Sequence, residues 1–147
     1  MRRYERTRAL VEGDPLLASS IVREFEEEMG AHAVTVLDEP REELVMVKVR
    51  ETAKGSLFFL GEALATSCRV RIGDAVGIGL VLGSNRCLAY ELAVVDAAFS
   101  GEAGAQRARR WDDRLRAELD AVDAREAEEI ARAGKTRVDF STMEVEL

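Results

Sequence analysis

The chain has two cysteines, one histidine and few aromatic residues, which fill only 5% of its 147 positions. Cys68 and Cys87 form no CxxC pair. A structural zinc site usually takes four Cys or His ligands at short paired spacings, so no metal site is expected. The single imidazole, His32, stands beside Gly30 and before VTVL. It reads as a strand-edge residue, and nothing places it beside a nucleophile in a hydrolase-type triad. No apolar run approaches the roughly 20 residues of a membrane span. The opening MRRYERTRALVEG lacks the apolar core of a secretory leader, so a cytoplasmic location is expected. Internal repeats and low-complexity linkers are also missing, and the length is that of one domain.

What is present is 47% apolar and 33% charged, with a net charge of −7. With so few aromatics, the core must come from Val, Leu, Ile and Ala. The acidic balance argues against a nucleic-acid binder, which must neutralise phosphates with clustered Lys and Arg. Arg2, Arg3, Arg6 and Arg8, and again Arg107, Arg109 and Arg110, do cluster. Each group has acids nearby, and both are expected on solvated helix faces.

The first 12 residues read as a short helix with Tyr4, Thr7 and Val11 on one side. Asp14-Pro15 starts a second. Leu17, Ile21, Phe25 and Met29 line one face of it, Glu24, Glu26, Glu27 and Glu28 mark its solvent side, and Gly30 stops it. From residue 33 the period becomes two. AVTVL is a strand, EPREE a turn, and LVMVKVRE a strand with Val45, Val47 and Val49 on one face. After Lys54-Gly55, residues 56–72 carry a third, bent stretch with Gly61 as a bulge or close-approach point.

GDAVGIGLVLGSN, residues 73–85, poses the question of a phosphate loop. Neither signature is met: the third glycine of GxGxxG comes one residue late, and no GxxxxGK[ST] occurs. The alternation of Val76, Ile78, Leu80 and Leu82 with small residues instead predicts a strand with one bulky and one bare face, the bare one open to a helix, another sheet or a partner's backbone. Ser84 and Asn85 then open a helix, either as its cap or as a small anion site.

That helix, residues 86–99, carries the stripe Leu88, Leu92, Val95 and Phe99 and is apolar on its other sides too, which predicts a partner surface. Gly101 and Gly104 mark a hinge. A long polar helix to about residue 133 follows, with a seam of Ala108, Trp111, Leu115, Leu119 and Val122. The tail RVDFSTMEVEL alternates again and is strand-like. It can close its own sheet or add a strand to another chain's sheet edge. The expectation is a single α+β domain. Residues 1–100 form its core, with a small, mainly antiparallel sheet, N-terminal helices and one buried apolar helix, and residues 101–147 form the helical arm and strand-like tail.

Three pieces carry a resemblance: FFLGEALATSCRV (58–70), with Gly61-Glu62, Thr66 and Cys68; GIGLVLG (77–83) with the following helix containing Asp96-Ala97; and RVDFSTM (137–143). Their order and spacing resemble the PhnG subunit of bacterial carbon–phosphorus lyase. The resemblance implies an accessory, non-catalytic subunit working with PhnH, PhnI and PhnJ in ATP-dependent formation of ribose 1-phosphonate 5-triphosphate from alkylphosphonates. It implies no cofactor in this chain: ATP is a substrate, and an iron–sulfur cluster belongs to a partner subunit. A homodimer contact is a further expectation, and nucleic acid and membrane are not expected partners.

On this reading Asp96, Arg137, Val138, Asp139, Phe140, Thr142 and Met143 make inter-subunit contacts, and Gly61 and Gly83 set backbone geometry. Asp96 can equally pair locally, and Glu62 is either an exposed strand residue or an interface anchor. The family's His-Ala-Glu triplet is Leu88-Ala89-Tyr90 here, and the tail's second aromatic is Ser141. A different class of function, a self-contained enzyme for a small phosphorylated compound, would need Glu62, Glu91 and Asp96 as acid–base groups and the Ser84-Asn85 helix start for phosphate.

Overall fold

The computed structural model describes residues 1–101 and 104–135. Two helices, α1 (Arg3–Glu12) and α2 (Leu17–Met29), lead through a single 3-10 turn (Ala31–Ala33) into β1 (Val34–Arg50), β2 (Leu57–Ile72) and β3 (Ala75–Leu82). Then come α3 (Arg86–Ser100) and α4 (Gly104–Gly134). The strands form one antiparallel sheet in the order β1-β2-β3, so the expected α+β class holds. His32 lies in the 3-10 turn and not on a strand. The tail, with Arg137, Val138, Asp139, Phe140, Thr142 and Met143, lies outside the described residues.

The expected turn at EPREE is absent. β1 runs unbroken from Val34 to Arg50, and the register slips between Val36 and Asp38 and again between Asp38 and Arg41. Turn-forming residues are accommodated as bulges because β2 continues alongside and supplies the pairing. A third irregularity pairs Val47 with Gly61 but Lys48 with Phe59, next to the glycine expected to mark a bulge. Gly61 has φ 156°.

Only the second half of β2, from Ala65 to Ile72, pairs with β3. Residues 44–50 and 57–64 therefore project as a two-stranded ribbon. At about 3.3 Å per residue it reaches roughly 26 Å past the third strand. The Glu51 N–H donates to the Ser56 carbonyl to close its tip.

The core lies between the helices and one face of the sheet. Thr66, Cys68, Val70 and Ile72 of β2 face it opposite Val81, Gly79, Gly77 and Ala75 of β3. The bare face of β3 is thus the inner one, and α3 fills the space. A Cβ on Gly77 would stand 2.0 Å from the Ala93 carbonyl oxygen, and one on Gly79 would stand 1.9 Å from that of Ala89. Strand and helix meet backbone to backbone.

The helix expected to offer a partner surface is instead enclosed by its own domain. The sheet covers one side, and α1, α2 and α4 cover the others, burying Ala89 and every residue from Leu92 to Ala98. Leu17, Ile21 and Phe25 of α2 are buried as the four-residue period predicts. Trp111, Leu115 and Val122 of α4 are buried along the expected seam, and the Trp111 ring lies 5.7 Å from that of Phe99.

The acidic face of α2 is not simply solvated. Glu24 accepts from Trp111 Nε1 and pairs with Arg114, while Glu28 pairs with Arg110. These contacts hold α4 against α2.

Gly79→Ala is expected to cost about 3 kcal/mol, at the upper end of core overpacking, because only main-chain atoms stand in the way of the added methyl. Urea unfolding checks this. Gly55→Ala, with open space around the Cβ position but φ at 68°, should cost less.

Candidate functional site

Among the described residues Asp96 is the buried carboxylate, at 7% exposure. It projects from α3 past the edge of β3. One oxygen accepts from Arg6 at 2.8 Å; the other accepts from Arg3 at 2.7 Å and from the Ile78 N–H at 3.1 Å. Arg6 is also 7% exposed, and its guanidinium lies 4.3 Å from the centroid of the Phe99 ring. The carboxylate's hydrogen-bonding capacity is used within the chain, joining α1, β3 and α3. Of the N-terminal arginines expected on a solvated face, Arg2 and Arg3 are exposed, whereas Arg6 is buried and Arg8 pairs with Glu12 on its own helix and with Asp123 and Glu126 of α4.

Asn85 is the N-cap of α3, its side chain accepting from the Leu88 N–H at 3.1 Å. Ser84 donates its hydroxyl to Glu42, which puts a carboxylate where an anion would bind. Thr66 fastens this corner from below, donating to the Gly83 carbonyl and accepting from the Asn85 N–H. Gly83, at φ 82°, makes the left-handed turn from strand to helix that favours glycine. Cys68 is buried against the Asp38 carbonyl, and burial pushes its thiol up. Among the described residues no group of three His, Cys, Asp or Glu could hold a metal ion.

The three acids required of a self-contained enzyme do not converge. Glu62 is exposed on the ribbon opposite Met46. Glu91 lines a cleft with Leu10, Leu16 and Leu88, where burial raises its carboxyl above the usual range. Asp96 is held by its arginines.

What the structure does present is apolar surface. Because the small residues of β3 face α3, Val76, Ile78, Leu80 and Leu82 face outward, with Leu82 73% exposed. On the ribbon Leu44, Met46, Leu57, Phe58, Phe59 and Leu60 are all exposed, Leu60 at 65%. The register puts Leu44, Met46 and Phe59 on the core-side face of the sheet and Val76, Ile78, Leu80 and Leu82 on the outer face, so apolar side chains stand exposed on both. These exposed residues lie on the strands, while the denser apolar run of α3 is buried.

The family described as phosphonate metabolism protein PhnG matches this chain over residues 1–145. The chain belongs to that family. A relative from Rhizobium meliloti (strain 1021), alpha-D-ribose 1-methylphosphonate 5-triphosphate synthase subunit PhnG, is 39% identical over 105 residues. The match covers 71% of this chain and 65% of the relative, so it spans less than two thirds of that protein's length.

Within the PhnG fold, the Leu88-Ala89-Tyr90 departure is accounted for by packing. Leu88 is half-buried against the core, Ala89 meets the backbone of Gly79, and Tyr90 donates to Glu26 at 3.4 Å. No helix of the described residues is long and apolar enough to cross a membrane.

Asp96→Ala strands the Arg6 guanidinium in a buried site and should destabilise the fold by about 3–5 kcal/mol. Chemical denaturation of the variant tests this. Glu91→Gln should behave oppositely. A raised folded-state carboxyl pKa means that ionisation costs stability as pH rises through the glutamate range, so the variant gains thermal stability at neutral pH and none in acid.

Proposed function

We propose that this chain is an accessory, non-catalytic subunit of a carbon–phosphorus lyase assembly. In this role it supports the ATP-dependent formation of ribose 1-phosphonate 5-triphosphate from alkylphosphonates, and its partners are the PhnH, PhnI and PhnJ subunits. Membership of the PhnG family supports the pathway, and the relative named as a synthase subunit supports the step. ATP enters as a substrate of the assembly, and an iron–sulfur cluster is carried by a partner; this chain holds no cofactor.

One structural observation carries the subunit reading: the ribbon, residues 44–50 and 57–64, exposes apolar side chains. An isolated two-stranded hairpin is at best marginally stable in water, and three or more strands or a packed helix are needed to sustain one. A partner surface over Phe58, Phe59 and Leu60 supplies that packing.

Co-expression of the tagged chain with PhnH, PhnI and PhnJ should recover all of them in fixed ratio. Phe58→Asp with Leu60→Asp should cut that recovery at least tenfold while leaving thermal unfolding within a few degrees, because surface substitutions away from the core change stability little. A chain that brings down none of the three subunits overturns the reading.

A further inference from the structure

The register of β1 and β2 sorts the side chains of the ribbon onto two faces. Leu44 pairs with Leu64 and Met46 with Glu62, on the face that Thr66 and Cys68 share farther along β2. Past the bulge Lys48 pairs with Phe59 and Arg50 with Leu57 on that same face. Val45, Val47, Val49 and Phe58 take the other. Leu44, Met46, Leu57 and Phe59 are exposed on the first face and Phe58 on the second, where the three valines are half-buried. A sheet resting on one helical layer needs only one apolar face. Two apolar faces on a projecting pair of strands call for two surfaces to meet them.

Area favours the same arrangement. At about 100 Å² of exposed surface for each large apolar side chain, the six from Leu44 to Leu60 offer roughly 600 Å². A standard interface buries about 800 Å² per partner. A wall against the core-side face alone takes four of the six side chains, about 400 Å², half of that size. Walls against both faces take all six and the valines as well.

Charge describes what lies beyond the tip. Between residues 48 and 57 the cations Lys48, Arg50 and Lys54 stand against Glu51 alone, in a chain of net charge −7. Arg8, Arg110 and Arg114 of the helices each meet a carboxylate. Among the described residues the three ribbon cations form no ion pair. The Lys48 ammonium lies 4.7 Å from the centroid of the Phe59 ring, and Arg50 donates to the Gly55 carbonyl.

We propose that the ribbon inserts into a cleft of a partner subunit, with an apolar wall on either face and carboxylates at the floor that meet Lys48, Arg50 and Lys54. The inference rests on the accessory-subunit reading and adds to it the shape and chemistry of the receiving surface. The groove between α1 and β3, about 800 Å³, is lined by Arg3 and Arg8 against the single acid Glu12, so a second copy of this chain offers the wrong charge there.

Thiol labelling tests the proposal. With the exposed Cys87 replaced by Ser and Cys68 buried, Met46→Cys or Val49→Cys places an accessible reporter on one face or the other. Iodoacetamide should modify both reporters in the chain alone. In the co-expressed complex with PhnH, PhnI and PhnJ both rates should fall at least tenfold. Lys48→Glu with Lys54→Glu should cut recovery of the complex at least tenfold and leave thermal unfolding within a few degrees. A recovered complex in which either reporter labels at its free rate overturns insertion and leaves the accessory reading standing. Full recovery with the glutamate pair does the same by removing the acidic floor. Reporters already slow in the chain alone also overturn it: slowing that dilution relieves assigns the cover to a second copy, and slowing that persists assigns it to this chain. Failure to recover any complex overturns both readings.

Discussion

The contact on which the rest of this structure depends is the backbone-to-backbone approach of β3 to α3. Gly77 and Gly79 let the carbonyls of Ala93 and Ala89 come so close that no side chain fits between. In an ordinary half-buried strand the large apolar residues face the core and the polar ones face water. Here the helix fits against the sheet only if the small residues face inward. Period-two geometry then sends Val76, Ile78, Leu80 and Leu82 outward. The apolar outer face follows from how the core closes.

Asp96 stands at the second joint. A buried carboxylate is costly unless it is paired, and its two arginines and one main-chain N–H meet that need. The Arg6–Asp96 pair is separated by 90 positions in sequence and brings the N-terminal helix to the sheet edge. Without it α1 would keep its contacts to α4 but lose its tie to β3. Asp96 also takes the edge N–H of Ile78, so fold closure and edge geometry share one group.

Much of this was legible in the residues. The four-residue recurrence of Leu17, Ile21 and Phe25, the seam of Trp111, Leu115 and Val122, and the bare face of β3 all read through, because each is a local period imposed by an adjacent packing surface. The misreadings concern non-local forces. Residues 39–43 have the composition of a turn, yet pairing with β2 keeps them extended. Arg3, Arg6 and Arg8 look like a solvated cluster because their carboxylate partners on α3 and α4 are far away in sequence. α3 looks like a partner surface because a single sequence cannot show that α2, α4 and the sheet all converge on it. The family resemblance was recognisable at Gly61, Thr66, Cys68 and Gly83, and two of these four, Thr66 and Gly83, shape the corner where β2, β3 and α3 meet.

The energetics of the apolar ribbon set it apart from the helical part of the molecule. The helical part of this molecule holds Asp96, Glu24 and Glu28 in ion pairs. The ribbon is the reverse, with exposed apolar residues and few packing partners of its own. Burial at about 25 cal/mol per Å² makes covering such a surface favourable, and part of that gain orders the strands themselves. Under the proposed assembly, a partner that covers Phe58 to Leu60 supplies the third layer that the sheet lacks there, which couples ribbon order to partner binding. The affinity of the assembly then depends on the intrinsic stability of the hairpin as well as on the contact. On that argument, substitutions at the hairpin tip, such as at Ser56 with its hydrogen bond to Glu51, weaken assembly without touching the interface.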